Sequence, residues 1–271
     1  MPTNLPLKAT FSLRAVARNP TLRIDAKQAD ENAVHFDALL DRVETFYLGE
    51  FLPEPFVKGR QPNYLEEGQD EGALVLNTGA VRPLGITFGL CRRVSTEDFE
   101  QLSESRKLKD GDVLLTTDGG TSIGKAAVFQ TPLSETGEPL DCGFTVDSHV
   151  AILRPSGISS TLLSYLLCSP MGQIQFQRAE SGASGQTAVS EDDVRRFRFP
   201  KVSQAEFDAA TATFTSALEE ARRLEAEAFR TRQEGWNAFQ DRLTATAGGE
   251  QRRIAARARP SETRMRQAFA G

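Results

Sequence analysis

Histidine, cysteine and long apolar runs are what this chain has least of. Only two histidines occur, His35 on a stretch with helical spacing and His149 among alternating strand residues. Both read as structural or exposed side chains rather than catalytic ones. The three cysteines, Cys91, Cys142 and Cys168, are scattered and form no C-x-x-C, which argues against a disulfide framework and a zinc site and leaves them as small buried side chains. No stretch approaches the roughly 18 apolar residues that a bilayer span requires. The opening MPTNLPLKATFSLRAVARNP lacks the apolar centre of a secretion signal. The expected location is therefore the cytoplasm, with no membrane attachment. Catalytic signatures are equally scarce, for there is no G-x-G-x-x-G and no G-x-S-x-G. The one nuclease-like triplet, Asp25-Ala26-Lys27, has no acidic residue ahead of it. Neither an independent active site nor a cofactor is expected.

What is present is a chain of 271 residues, 39% hydrophobic and 25% charged, enough for one substantial core and an appendage. Its net charge of -5 is unevenly spread. Residues 45–203 carry 15 basic against 21 acidic side chains, whereas the last 28 residues hold six arginines against two glutamates. Contact with a polyanion must then come from a local basic face, from the tail, or from a partner's charge.

Four regions follow from pattern. Residues 1–44 hold one amphipathic helix, ENAVHFDALLDRVETF, with Val34, Leu39, Leu40 and Val43 as its apolar stripe. Residues 45–203 begin with short strands broken by Pro and Gly: TFYLGEFL, GALVLNTG, LGITFGLCRRV, GDVLLTT, KAAVFQ and GFTVDSHVAILRP. They end with helices opened by Ser159 or Ser160 and by Ser190, with an interruption at Pro170. Residues 204–243 lack Pro, and Phe207, Phe214, Ala221 and Ala228 recur every seventh position with Leu218 and Leu224 beside them. That stripe predicts a long helix with a seam for pairing. Residues 244–271 form an Arg-rich tail with no sustained apolar pattern, expected to be flexible. The fold class is α+β, an irregular β-rich domain followed by a long C-terminal helix used for coiled-coil pairing.

Within the β-rich region, DGGTSIGKA at 118–126 contains G-x-x-x-x-G-K, the spacing of a phosphate-binding loop. Such a loop needs a helix directly after it and a hydroxyl after the lysine. Here Ala126 takes the hydroxyl position, and AAVFQTP reads as a short strand ending at a proline. The segment is therefore strand, glycine turn, strand.

The order of motifs resembles the DNA-specificity subunits of Type I restriction-modification systems. The matching stretches are YLGEF (47–51), KLKDGDVLLTTDGGTSIGKAAVF (107–129), HVAILRP (149–155) and YLLCSPMGQIQFQRAESGASGQTAVSEDDVRRFRFP (165–200), with the long helix following. The resemblance implies a non-catalytic target-recognition domain that reads one half of a split site in double-stranded DNA, and a helix that serves as ruler. It also implies catalysis in DNA methyltransferase partner subunits and, for phage defence, a restriction motor. The chain departs from the family in having one such domain and one long helix, so a homodimer paired through the helix is expected, by way of Phe207, Phe214, Leu218, Ala221 and Leu224. A second departure is FPKVSQAEFDAA, where a proline-rich segment is usual and only Pro200 and Gln204 match. By residue type and loop placement, the candidates for base contact are Asn77, Arg82, Thr117, Thr121 and Gln186. Those for phosphate contact are Lys58, Arg60, Lys125 and Arg178. A different class of function, a protein-interaction adaptor within a phage-defence assembly with no base readout, fits the same pattern. Salt-dependent DNA binding separates the two.

Overall fold

The computed structural model describes residues 30–66, 71–134, 136–182 and 187–246. Contacts divide the chain into two units, Met1–Ser203 and Gln204–Gly271. The architecture is α+β, a β-rich body and a long helix. Among the described residues no helix is long and apolar enough to cross a membrane.

The first unit opens with helix α1 (Glu31–Leu40), capped by the Asp30 carboxylate, which accepts from the Asn32 and Ala33 amides. Its buried residues are Ala33, Phe36 and Leu40, while Val34 and Leu39 are exposed, as is Val43 beyond it. The expected stripe was therefore displaced by one position and shares only Leu40. The segment offers two overlapping apolar stripes, and packing on a later helix, α4 (Pro170–Ala179), selects one of them. Arg178 Nη1 on α4 donates to both Asp37 carboxylate oxygens at 2.9 and 3.0 Å, tying the two helices together.

Among the described residues, eleven short strands follow the order of the predicted segments, with finer divisions. TFYLGEFL becomes β1 (Thr45–Tyr47) and a 3-10 turn, Leu48–Phe51. After β2 (Val57–Lys58) and β3 (Ala73–Leu76), the hairpin β4 (Val81–Arg82) and β5 (Gly85–Ile86) precedes β6 (Arg92–Val94). LGITFGLCRRV is thus two strands rather than one, separated by the 3-10 turn Phe88–Leu90. Beyond β6 and the short helix α2 (Thr96–Glu100), β7 (Val113–Thr116) and β8 (Ala126–Val128) form a hairpin. GFTVDSHVAILRP also divides, into β9 (Phe144–Val146) and β10 (Val150–Leu153), which lie in different sheets.

The larger sheet runs β2-β10-β7-β8, antiparallel throughout, and the smaller runs β6-β3-β9 with β3 and β9 parallel. β7 and β10 are buried at every position, which explains why their sequences are continuous apolar runs without alternation. Leu114, Val150 and Ile152 join Leu74, Leu76, Phe129 and Phe144 in one core cluster. The alternate residues Val113, Leu115 and Leu153 are buried as well. Helix α3 (Ser160–Cys168) packs on β8 and β7 and carries the fully buried Leu163 and Leu167. Each such leucine stabilises the body by roughly 1.5–3 kcal/mol.

Serine caps set the helix starts. Ser159 caps α3, Ser169 caps α4 with Pro170 in its first turn, and Ser190 caps α5 (Glu191–Arg195). β11 (Arg198–Pro200) then returns to pair antiparallel with β1, so that the ends of the body meet, Phe46 opposite Phe199.

The second unit holds helix α6 (Gln204–Thr246), 43 residues and about 65 Å long. Its apolar pattern is more particular than a plain heptad. Phe207, Phe214, Ala221 and Ala228 keep a seven-residue spacing, then Phe229, Trp236 and Leu243 resume it one position later. From Phe207 to Leu243 is 36 residues, ten turns at 3.6 residues each, so the stripe follows the period of a straight helix. Phe214, Trp236, Phe239 and Leu243 are exposed along it, while Phe207 and Leu218 are half-buried and Ala221 is exposed; Leu224, also exposed, lies about 100° around the helix from that line. The Trp236 and Phe239 rings meet edge to face with centroids 5.7 Å apart.

Candidate nucleic-acid interface

Among the described residues, four turns converge at one end of the sheets. The end of β7, the starts of β8 and β10, and the end of β2 lie there by register, since Thr116 opposes Val150, Leu115 opposes Ala126, and Ala151 opposes Lys58. The ends of β3 and β9 join them through the Asp147 amide, which donates to Leu76 O.

The glycine turn between β7 and β8 is the centre of this surface. It is held by hydrogen bonds to Thr116 at its base: Thr116 Oγ1 donates to Ser122 O and accepts from the Lys125 amide at 3.1 Å, and the Gly124 amide donates to Thr116 O at 3.0 Å. Gly119, Gly120 and Gly124 all have positive φ, which a side chain resists. No helix follows, and the Gly119, Ser122, Gly124 and Lys125 amides are already bonded within the protein. The turn is therefore not a phosphate cradle, in agreement with the sequence. Residues 187–189 lie against this turn, for the Gly119 amide donates to Thr187 O at 3.1 Å and the Val189 amide to Thr117 O at 2.9 Å.

The candidates separate into two groups by placement. Lys58, Arg60, Arg82, Thr121 and Lys125 all lie at this end of the body. Lys58 Nζ donates to Asp118 Oδ2 at 2.8 Å, and Arg60 is exposed two residues beyond it. Lys125 Nζ reaches Thr78 O and Ser122 Oγ, each at 3.4 Å. Its ammonium is held below the usual lysine range by burial and then by the neighbouring charge of Arg82. Thr121 is exposed in the turn.

Asn77, Thr117 and Arg178 are engaged elsewhere. Asn77 Oδ1 accepts from the Gly79 and Ala80 amides at 2.8 and 2.9 Å, and its Nδ2 donates to Leu90 O. It shapes the β3–β4 turn rather than facing a groove. Thr117 is 1% exposed and its hydroxyl donates to Asp118 Oδ2 at 2.6 Å, so it cannot reach a base edge. Arg178 is the cation that fastens α1 to α4. Gln186 lies outside the described residues.

Several residues of the surface escaped sequence reasoning. Asp118 accepts from both Lys58 and Thr117, and although burial alone would raise its carboxyl, those donors and the charges of Lys58 and His149 bring it below its usual range. Gln61 accepts from Ser148 Oγ at 3.2 Å, and His149 stands exposed in the β9–β10 turn rather than within a strand. Asp147, which accepts from the His149 amide, has its carboxyl raised, by burial first of all. For Asn77 the sequence did contain a signal, since N-T-G after a buried strand is a common side-chain-closed turn. For Asp118 it did not, because its partner is 60 residues away.

No family model matches the chain, and no curated protein does. Solved structures do. A structure described as "Structural basis underlying complex assembly and conformational transition of the type I R-M system" superposes at a TM-score of 0.47 with 17% identity, covering 82% of this chain and 52% of that one. The Type I restriction-modification S subunit from M. genitalium gives 0.47 and 13%, covering 77% and 48%. The HsdS subunit from Thermoanaerobacter tengcongensis gives 0.44 and 16%, covering 75% and 48%. The chain thus spans about half the length of each of these structural neighbours.

Proposed function

We propose that the protein is a non-catalytic reader of DNA sequence, whose body grips one half of a bipartite site. In this reading two copies pair through α6 and bring methyltransferase subunits, and a restriction or defence motor, to the DNA. The observation that carries the reading is the convergence of Arg82 and Lys125. They are two cations beside a glycine turn, brought together where the Leu84 amide, in the turn after Arg82, donates to Ala126 O beside Lys125 at 2.8 Å, and neither is in an ion pair among the described residues; burial and then the like charge of Arg82 disfavour the ammonium. Such a site gains most from an anionic or acceptor-rich ligand. The motif order of the sequence supports the same reading independently of the geometry.

A duplex-binding titration at several salt concentrations, with and without the methyltransferase subunits, tests it. Affinity should fall as salt rises and should increase strongly when the methyltransferase is added, because the acidic chain supplies few cations of its own. Arg82→Ala should cost roughly 1–3 kcal/mol on the recognised sequence and little on random DNA. Salt-independent association, or none in either condition, would instead favour a protein-interaction adaptor.

A further inference from the structure

The Lys58 and Asp118 side chains form the least expected pair on this surface, since a carboxylate facing DNA ordinarily repels phosphate. Two features keep it there in a defined position. Thr117, buried beneath the turn, donates to Asp118 Oδ2 at 2.6 Å, and the backbone of Asp118 bridges to Ala188. Lys58 stands on β2 in register with Ala151, and its carbonyl accepts from Arg106 Nε at 3.2 Å. Both side chains nevertheless reach solvent, at 48% exposure for Lys58 and 26% for Asp118. Both donors to the carboxylate go to Oδ2, and among the described residues no hydrogen bond reaches Oδ1. The ammonium, with three donors, has one on Asp118.

Resting on the DNA-reading function proposed above, we propose that Lys58 and Asp118 act together as the reader of one G·C base pair in the major groove. The pair presents an ammonium donor beside a carboxylate acceptor, 2.8 Å apart. A G·C pair presents the complement: the cytosine N4 amine as donor beside guanine O6 as acceptor, themselves hydrogen-bonded and so about 2.9 Å apart. Asp118 Oδ1 accepts from cytosine N4, and Lys58 donates to guanine O6 and N7.

An A·T pair also sets an amine beside a carbonyl, but its flanks are wrong. Adenine N7, an acceptor, then sits next to the carboxylate, and the thymine methyl replaces the second acceptor for the ammonium. Discrimination therefore comes from the flanking groups, one repulsive and one missing. Because the ion pair is already formed in the protein, the carboxylate reaches the groove neutralised, which removes most of its repulsion from phosphate.

Selection of bound sequences from a random duplex library tests the assignment, using the full chain purified from its host with the subunits that accompany it. The wild-type protein should enrich a motif containing a fixed G·C pair. Asp118→Ala and Lys58→Met should each relax that one position by roughly ten- to a hundredfold in relative affinity and leave the others unchanged. Asp118→Asn, whose carbonyl oxygen keeps the hydrogen bonds from Thr117 and Lys58, turns an amide donor toward the base where Oδ1 had accepted, and should therefore abolish the preference for the cytosine amine at that position. Replacing the guanine by 7-deazaguanine should weaken binding by the wild type and not by Lys58→Met. Variants that change affinity for all sequences alike, with the motif intact, would reduce the pair to a surface ion pair and overturn the proposal while the reading function stands. A wild type that enriches no motif would overturn both.

Discussion

Gly124→Ala tests the geometry on which the whole surface rests. The residue has φ +85°, and a methyl group there would stand 2.9 Å from Phe176 Cδ2 and 3.0 Å from Cγ. Two costs add. Holding alanine in the left-handed region costs about 1–2 kcal/mol. The ring cannot move aside cheaply, for Phe176 is 2% exposed and packs edge to face on Phe197 with centroids 4.8 Å apart. Overpacking of that kind costs about 1–3 kcal/mol. The substitution should therefore destabilise the body by about 3 kcal/mol, seen as a lower urea midpoint with unchanged slope. In a Phe176→Leu background, where the ring is gone, the same substitution should cost only the backbone part, so the two changes are coupled by at least about 1 kcal/mol. A loss under about 1 kcal/mol in the wild-type background, or strict additivity, would show that the turn tolerates another conformation and that its residues are not rigidly presented.

Two further outcomes follow from other parts of the molecule. If two copies pair through α6 as proposed, Phe214→Glu with Leu218→Glu should convert the dimer into monomers in sedimentation, raising the dimer dissociation constant more than about a thousandfold, since each such buried side chain contributes about 1.5–3 kcal/mol and symmetry counts each change twice. Unchanged mass would rule out pairing through this stripe. Asp147 has its folded carboxyl raised, chiefly by burial. Ionising it in the folded protein is therefore unfavourable, and the penalty grows as pH rises from the ordinary carboxylate range through the raised value. Asp147→Asn keeps an acceptor for the His149 amide. It should raise the urea midpoint at neutral pH, with the gain vanishing in acid where both states are protonated, and a gain that persists in acid would contradict the assignment.

Local patterns predicted local structure well. The strand, glycine turn and strand of 111–129, the serine-capped helices and the long helix were all legible, because each is dictated by residues within a few positions of one another. What was not legible depended on distant partners. Arg178 looks like a free cation until Asp37, 141 residues away, is brought to it. Thr117 looks like a loop hydroxyl until Val189 and His149 close over its backbone and bury it. The buried face of α1 was ambiguous for the same reason, since nothing within ENAVHFDALL says which stripe its neighbour will cover.

If the body reads DNA as proposed, the same distant pairings set how few of its cations are left for phosphate. Lys58, Lys107, Arg154, Arg178, Arg195, Arg196 and Lys201 are all in ion pairs at 2.6–2.9 Å. Arg93 and Arg106 donate to backbone carbonyls, and Arg92 lies over the Tyr64 ring at 3.8 Å. At the end that carries the glycine turn this leaves Arg60, Arg82 and Lys125 without an ion pair among the described residues. With Arg82 assigned to a base edge, Arg60 and Lys125 are left to make the body's phosphate contacts, and the slope of log affinity against log salt should be about -2 for each bound body. Raising salt from 50 to 200 mM should then weaken binding only about twelvefold, well short of the loss expected when 6–10 phosphates are neutralised. A much steeper slope for the body alone would mean that the ion pairs open on DNA and that their cations face phosphate after all, which would also remove Lys58 from the base edge.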